Sequence, residues 1–320
     1  MKRIVLFICI LASIAASLPR GVSAGGRRDA ARKRDGGIQV VTTIFPPYDF
    51  VRQIAGANAS LTMLLPPGAE SHSFEPTPQD VIKVQNCDIF IYGGGESDAW
   101  VETILESMDT GRMEIITLMD CVEAVEEVVV EGMQEEEEEG HEEEAEYDEH
   151  VWTSPRNAKL IVRRIADVLK RRDPPNAAGY EKNTADYLAK LDDLDRSFQD
   201  LMAGARRKTL IFGDRFPFRY FADAYGINYF AAFPGCSTET EASAATVAFL
   251  IDKVRAEKVP VVFHIELSNE KIADTICEET GAAKHLLHAV HNVSKRDFEG
   301  GANYYDLMSR NINSLRAALY

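Results

Sequence analysis

The chain has 320 residues, of which 51 are acidic and 35 are basic, and its formal net charge at pH 7 is −16. A surface this negative repels nucleic acid and anionic lipid, so we expect no nucleic-acid partner, whereas cations are favoured. About 280 residues are expected to be ordered, which favours two domains.

Residues 1–24 have the features of a secretory signal peptide. Lys2 and Arg3 precede an apolar stretch from Ile4 to Ala16, and a run of small residues ends at Ala24. An apolar stretch of about 13 residues is too short to span a bilayer core of about 30 Å. We therefore predict cleavage and export, with no membrane insertion of the mature chain.

The residues next to the predicted cleavage site bear on location. Removal of residues 1–24 takes away three basic residues and no acidic ones, so the formal charge changes from −16 to −19. Cys9 lies within the apolar stretch rather than at its end, so a free periplasmic protein is favoured over a surface lipoprotein. Residues 25–37 are basic and have too little apolar content to fold, so we expect a flexible leader.

Residues 38–173 are expected to form an N-terminal α/β lobe. Apolar, β-branched runs predict strands, and apolar residues at helical spacing predict helices. The predicted strands span residues 38–44, 61–65 and 88–92, and the predicted helices span residues 48–54, 77–84 and 155–172. Strands that alternate with helices are typical of parallel βα units.

An acidic tract interrupts this lobe at residues 123–149. Among the 20 residues from Glu131 to His150, 12 are acidic, and the tract has no apolar face to bury. We therefore expect a mobile loop that gathers cations between the segments that carry His72 and His150. His141, within the tract, is expected either to capture ions weakly or to have no role.

A long helical pattern then links the first lobe to a second one. The linking helix is assigned to residues 174–204, and its helical pattern from Asn176 to about Met202 is about 40 Å long at about 1.5 Å per residue. Residues 205–320 repeat the alternation, with predicted strands at 209–212, 227–230, 261–265 and 285–290 and predicted helices at 218–225, 240–257, 269–280 and 304–319. The predicted fold class is α/β, with two parallel-sheet lobes joined by one long helix and a metal site in the cleft between them.

Histidines at the ends of predicted strands are candidates for this metal site. Zinc and manganese sites need neutral imidazoles or carboxylates within about 2.2 Å of the ion, often from loops at the carboxyl ends of strands. His72 and His291 follow predicted strands, and His150 lies where the acidic tract rejoins the fold. His285 and His288 are near His291, which we prefer. At His72 and His150, a solvent-exposed histidine is the alternative.

Asp214 is a candidate ligand from the first strand of the second lobe. An Asp just after that strand is equally compatible with an N-cap of the next helix, or with an ion pair to Arg215. His264 and Glu266 end another predicted strand, so they are expected to join or orient the site. The alternative is that one of them bonds to a neighbouring helix N-terminus.

Four cysteines remain after residue 24, at positions 87, 121, 236 and 277. An oxidising compartment allows a disulfide between Cys236 and Cys277, although sequence does not give connectivity. Buried free thiols are the alternative.

Several motifs point to one family. They are the run Leu-Leu-Pro-Pro-Gly-Ala-Glu-Ser-His-Ser-Phe-Glu-Pro at residues 64–76, the segment Glu149-His150-Val151-Trp152, the long helix, and Asn303-Tyr304-Tyr305. Through these motifs nearly all of residues 38–320 resemble the zinc and manganese ABC-transporter solute-binding proteins of the high-affinity zinc uptake type. The resemblance implies two α/β lobes bridged by a rigid helix, with one metal ion in the cleft.

The resemblance also implies four ligand positions, which fall on His72, His150, Asp214 and His291. The third ligand of the family is usually His or Glu followed by a small residue, whereas this chain has Asp214 followed by Arg215, with one residue inserted. The fourth is usually Asp, whereas this chain has His291. Three imidazoles favour zinc over manganese, which prefers carboxylate oxygen. Zinc-selective members also carry an acidic loop similar to residues 123–149.

We therefore expect an exported, monomeric protein that captures Zn²⁺ in preference to Mn²⁺ and delivers it to an ABC-transporter permease. No catalysis is required, so Zn²⁺ is cargo. One alternative is a zinc-dependent metallohydrolase, because three histidines and an open position also describe a catalytic zinc site. The chain lacks a His-Glu-x-x-His motif, which argues against that alternative. A metal-stabilised adhesin is the third possibility.

Overall fold

Two four-stranded sheets form the frame of the computed structural model, which describes residues 37–133, 146–238 and 241–320. The strands are β1 Ile38–Thr42, β2 Ala59–Met63, β3 Ile89–Tyr92, β4 Glu114–Thr117, β5 Thr209–Phe216, β6 Asn228–Pro234, β7 Val261–His264 and β8 Ala283–Leu286. The first sheet has the order β2-β1-β3-β4 and the second the order β6-β5-β7-β8. All strand pairs within these two sheets are parallel.

Helices connect the strands, as parallel pairing requires. They are α1 Phe45–Ala55, α2 Pro78–Gln85, α3 Ala99–Glu106, α4 Pro155–Arg172, α5 Ala177–Ala203, α6 Arg219–Tyr225, α7 Ala244–Glu257, α8 Lys271–Thr280, α9 Lys295–Glu299 and α10 Tyr304–Leu319. The predicted fold class of two α/β lobes with parallel sheets is confirmed.

The long helix α5 holds the two lobes together. Its buried side chains, among them Tyr187, Leu191 and Phe198, recur at helical spacing along 27 residues. It packs against α1 and α4, which come from the first half of the chain, and against α6 and α10, which come from the second half. The largest hydrophobic cluster includes residues of both sheets, such as Val40 and Phe212, so the lobes share one core.

The structure differs from the prediction in several places. The elements α3, β4 and α9 were not predicted, because each is short and partly exposed, and apolar periodicity is weak in such elements. Strand β5 continues four residues beyond Phe212, so Asp214 lies inside a strand rather than in a loop. Strand β8 ends at Leu286, so His291 follows an irregular segment instead of a strand that reaches Val290.

The described ends of the acidic tract are held to the protein body. Glu126 forms an antiparallel bridge with Tyr147, and the Glu127 carboxylate accepts hydrogen bonds from the backbone N–H groups of Gly235 and Cys236. The bridge joins the two described ends of the tract to each other, and the Glu127 bonds fasten this base of the predicted mobile loop to the second lobe. Residues 134–145, which include His141, lie outside the described residues.

The predicted signal peptide, residues 1–24, also lies outside the described residues, as does the predicted leader except for Gly37. Within the part of the chain that the structure describes, no helix combines the length and the apolar character needed to cross a bilayer. The domain boundaries after residues 173 and 204 stay predictions.

Cys236 and Cys277 are free thiols in the structure. Cys236 is buried beside the end of β6, whereas Cys277 lies on α8 and is partly exposed. Burial is the main cause that raises the pKa of both thiols. The disulfide considered from the sequence is therefore absent from these described residues, and the alternative of unpaired thiols applies.

Candidate metal centre

Four side chains from both lobes come together at one point. They are His72, Glu149, His150 and His291, and one potential ligand atom of each lies within 4.8 Å of those of the others. His72 lies in the loop after β2, Glu149 and His150 end the acidic tract, and His291 follows β8. Three of the four residues predicted for the site are therefore adjacent, and Glu149 joins them.

The three imidazole rings surround a small common space. The ring centroids of His72 and His150 are 5.8 Å apart, those of His72 and His291 5.3 Å, and those of His150 and His291 5.2 Å. His150 is fully buried and His291 is 8% exposed. Rings at these separations are able to direct one nitrogen each at a single ion about 2 Å away.

Two serines orient two of the rings. The Nδ1 atom of His72 lies 2.8 Å from the Ser97 hydroxyl oxygen, and the Nδ1 atom of His291 lies 3.2 Å from the Ser71 hydroxyl oxygen. A hydrogen bond at Nδ1 fixes the ring orientation and leaves Nε2 for a metal ion. The Ser71–His291 contact also joins the two lobes.

A carboxylate orients the third ring. The Nδ1 atom of His150 lies 3.1 Å from a carboxylate oxygen of Asp148, to which it donates because an ionised carboxylate only accepts. The opposite atom, Nε2 of His150, is buried and has no hydrogen-bond partner among the described residues. A buried nitrogen without a partner is costly, so this atom points to a ligand that the site is built to receive.

The electrostatics keep two of the imidazoles neutral. The pKa of His72 is lowered to about 3, first by burial and then by the positive charges of His150 and Arg215. The pKa of His291 is lowered well below its usual value, again mainly by burial. Both rings are therefore unprotonated at neutral pH, as metal ligation requires.

His150 and Glu149 behave differently. Burial lowers the pKa of His150, but the Asp148 carboxylate, followed by Glu149 and Glu127, raises it above the usual value overall. Burial raises the pKa of Glu149 to about 7. One Glu149 oxygen accepts the Ser97 backbone N–H at 3.0 Å, whereas Oε1 is buried without a partner among the described residues. A divalent cation would supply the positive partner that this oxygen lacks.

Sequence reasoning missed Glu149. The residue belongs to the Glu149-His150-Val151-Trp152 motif, but it also ends an acidic tract in which glutamates are expected to be solvated. The structure instead leaves Glu149 only 2% exposed. The sequence feature that could have indicated this burial is the apolar pair Val151 and Trp152, which follows two residues later and predicts that the adjoining backbone is buried.

Asp214 lies outside the group of four. Its two carboxylate oxygens accept hydrogen bonds from the backbone N–H groups of Arg215 at 2.9 Å and Ile265 at 3.1 Å. The N-cap of α6 is Phe218, so Asp214 does not cap that helix either. The prediction that Asp214 converges with the histidines fails because β5 extends through it and its oxygens bind the backbone.

Glu266 orients the segment that carries His291, as one of the sequence hypotheses proposed. Its carboxylate accepts hydrogen bonds from the N–H groups of Ala289 at 2.7 Å and His291 at 2.9 Å. Val290, between them, has the left-handed φ of 62°, and its N–H donates to Nδ1 of His288 at 3.0 Å. These bonds hold a conformation that is strained for a β-branched residue.

Trp152 closes one side of the group. Its ring centroid is 5.5 Å from that of His150 and 5.0 Å from that of His291. The indole N–H donates to the carbonyl of Ala289 at 2.9 Å, and the Trp152 carbonyl accepts from the Tyr304 hydroxyl at 2.7 Å. The indole therefore keeps water away from the rings, which strengthens electrostatic interactions at this point.

Comparison with known proteins gives consistent matches. Residues 40–318 match the family model ZnuA, described as zinc-uptake complex component A, periplasmic. The chain is 32% identical over 286 residues to the high-affinity zinc uptake system protein ZnuA of Bacillus subtilis, covering 88% of each chain. It is 31% identical over 289 residues to the zinc-binding lipoprotein AdcA of Streptococcus pneumoniae, covering 89% of this chain but only 56% of AdcA.

Solved structures also match this chain. The Zn(II)-bound ZnuA-like domain of Streptococcus pneumoniae AdcA superposes on it with a TM-score of 0.73 and 29% sequence identity. This match covers 89% of this chain and 99% of that domain.

Proposed function

Because the chain belongs to the family of periplasmic zinc-uptake components, we propose that it is an exported solute-binding protein. It captures Zn²⁺ with His72, His150, His291 and Glu149 and delivers the ion to an ABC-transporter permease. The observation that carries this proposal is the convergence of three buried imidazoles and one buried carboxylate from both lobes.

The donor set supports zinc as the cargo. Three imidazole nitrogens and one carboxylate oxygen match the tetrahedral preference of Zn²⁺. Manganese prefers oxygen ligands and higher coordination numbers, which this buried group of residues does not offer. Zn²⁺ therefore has the more complete ligand set here.

The same donor set argues against hydrolysis. A catalytic zinc site keeps one position open for water or substrate, whereas four protein donors close the tetrahedron. A zinc-dependent hydrolysis screen with generic ester and phosphate substrates tests this alternative, and we expect no turnover above that of the zinc-free protein. The adhesin alternative is tested by deletion of the gene. Loss of growth in chelated medium would support metal uptake, whereas unchanged growth would favour adhesion.

The binding proposal is tested by competition titration against a chromogenic zinc chelator. We expect His72→Ala, His150→Ala and His291→Ala each to weaken zinc binding by about 100-fold or more, because even loss of an outer-shell partner costs 10–100-fold. His285→Ala is the matched control, since this histidine lies on β8 outside the group, and its affinity should equal that of the wild type. Wild-type affinity in His72→Ala would contradict the proposal.

The location is part of the proposal. We infer a free periplasmic protein, because Cys9 lies inside the predicted signal peptide rather than at its end. The mass of the mature protein tests this inference. A chain that begins at Gly25 without a lipid supports it, and a lipid-modified N-terminal cysteine contradicts it.

A further inference from the structure

One cation lines the same cavity as the metal group. Arg215 is 8% exposed and borders a cavity that His72, His150 and His291 also line. It lies at an irregularity in β5, whose register against β6 shifts between Phe212 and Arg215. A buried guanidinium beside a site for a divalent cation is electrostatically unfavourable for that ion, so it needs an explanation.

Within the part of the chain that the structure describes, Arg215 forms an ion pair with Glu70, and the two charges are not equally exposed. The guanidinium lies 2.8 Å from a carboxylate oxygen of Glu70, which precedes His72 by two residues and borders the same cavity. The Arg215 side chain is 10% exposed, whereas that of Glu70 is 37% exposed. Water screens the carboxylate more than the guanidinium, so the pair has a net positive influence on the cavity.

The position of Arg215 gives its charge a direct effect on the metal group. The guanidinium borders the same cavity as His72 and His291, so its positive charge repels a divalent cation that these rings would hold.

We propose that Arg215 is an affinity-setting residue, whose buried charge weakens the binding of Zn²⁺ enough that the cargo can be released, while Glu70 limits this effect. The inference rests on the proposed zinc-binding function. A simple latch between the lobes would instead stabilise the zinc-bound form. The two roles therefore predict opposite effects of the ion pair on zinc affinity.

Four variants separate the two roles by the sign of their effects. If the charge sets the affinity, Arg215→Met should tighten zinc binding by about tenfold and slow zinc release, because it leaves Glu70 unpaired beside the ion. Glu70→Gln should weaken binding to a similar extent. The double variant should bind at least as tightly as the wild type, and Arg215→Lys should reverse most of the change that Arg215→Met causes.

The measurements are chelator competition for equilibrium affinity and stopped-flow chelator capture for the rate of release. Arg156→Met is the matched control, because Arg156 pairs with Asp195 at the α4–α5 contact and should leave zinc affinity unchanged. Near-ultraviolet circular dichroism checks that each variant is folded. If Arg215→Met is unfolded, the zinc affinities of Glu70→Gln, Arg215→Lys and the wild type, compared with one another, test the same charge effect.

Two outcomes would overturn the inference. If Arg215→Met, Glu70→Gln and the double variant all bind zinc more weakly than the wild type, the pair is a latch. If Arg215→Met binds zinc like the wild type, the charge does not set the affinity. Failure of the wild type to bind zinc would instead overturn the proposed function, and this inference with it.

Discussion

At the residue scale, His150 and Glu149 are adjacent buried residues, and both have raised pKa values. Neighbouring carboxylates raise the pKa of His150 although it is buried, and burial raises the pKa of Glu149 to about 7. Both residues therefore tend to hold protons that a metal ion has to displace. His72 and His291, whose pKa values are lowered, need no such displacement at neutral pH.

Replacement of Glu149 by Gln tests its role as the fourth ligand. The amide has nearly the same shape but carries no charge, so we expect zinc affinity to fall by about 10- to 100-fold while the fold is retained. Competition titration measures the change. Glu146→Gln is the control, because this exposed residue of the same segment lies outside the group. Equal losses in both variants would argue for a general charge effect instead of ligation.

The pH dependence of zinc binding follows from the same two residues. Affinity should be complete above the pKa values of Glu149 and His150 and should fall as the pH drops through them, beginning near pH 7, because protons compete with the ion. Asp148→Asn removes the carboxylate that contributes most to raising the pKa of His150. The zinc affinity of this variant should therefore decline at a lower pH than that of the wild type. Zinc titrations between pH 5 and pH 8 measure both curves. A decline at the same pH in both proteins would exclude Asp148 from this role.

At the scale of elements, the base of the acidic tract is fixed to the second lobe although its sequence belongs to the first. The Tyr220 hydroxyl donates to the Asp148 carbonyl at 2.8 Å and accepts the Val125 N–H at 3.2 Å, and Glu127 accepts from the segment after β6. These bonds hold the described residues on both sides of the 134–145 segment next to Glu149 and His150. We therefore expect the sequence of the tract to vary without loss of these two ligands.

Deletion of residues 134–145 should separate capture from binding. Eight acidic residues are removed, so the association rate of Zn²⁺ should fall, most strongly at low salt, because long-range attraction is screened by ions. The equilibrium affinity should change by less than about threefold, since charges outside the ligand set mainly affect encounter. Stopped-flow measurements at low and high salt test this. An equal effect at both salt concentrations would indicate that the tract supplies ligands.

At the scale of the whole molecule, the two lobes are joined by more than the helix α5. The Asn292 side-chain amide donates to the carbonyls of Pro66 and Ala69, both at 2.8 Å, and the Gly68 N–H donates to the Val293 carbonyl at 2.7 Å. Together with the shared hydrophobic cluster, these contacts link the lobes without a metal ion. Large independent movement of either lobe would expose this core.

We therefore expect one cooperative unfolding transition rather than two. Zinc that binds only the folded protein should raise the free energy of unfolding by about 4 kcal/mol when its free concentration is about 1,000 times the dissociation constant. Urea unfolding followed by circular dichroism and by tryptophan fluorescence measures both effects. His72→Ala should show the single transition without the shift at the same zinc concentration. Two separate transitions would show that the lobes unfold independently.

Local patterns were sufficient to predict much of this protein. Apolar spacing predicted α4 and α5 nearly to the residue, and alternating strands and helices predicted the two parallel sheets, because these signals depend on near neighbours in the chain. The positions of His72, His150 and His291 were predicted from motifs and from the ends of strands. Their convergence is a prediction that the geometry supports.

Tertiary structure decided the rest of the candidate site. The sequence pattern predicts that Glu149 is solvated like the other glutamates of the tract, but packing in the folded protein buries it. The pattern also predicts that Asp214 is a ligand in a loop, but its oxygens accept hydrogen bonds from the backbone of Arg215 and Ile265. Arg215 borders the cavity at the point where the register of β5 against β6 shifts. Burial, register and charge proximity depend on residues far apart in the chain, so a local sequence pattern does not determine them.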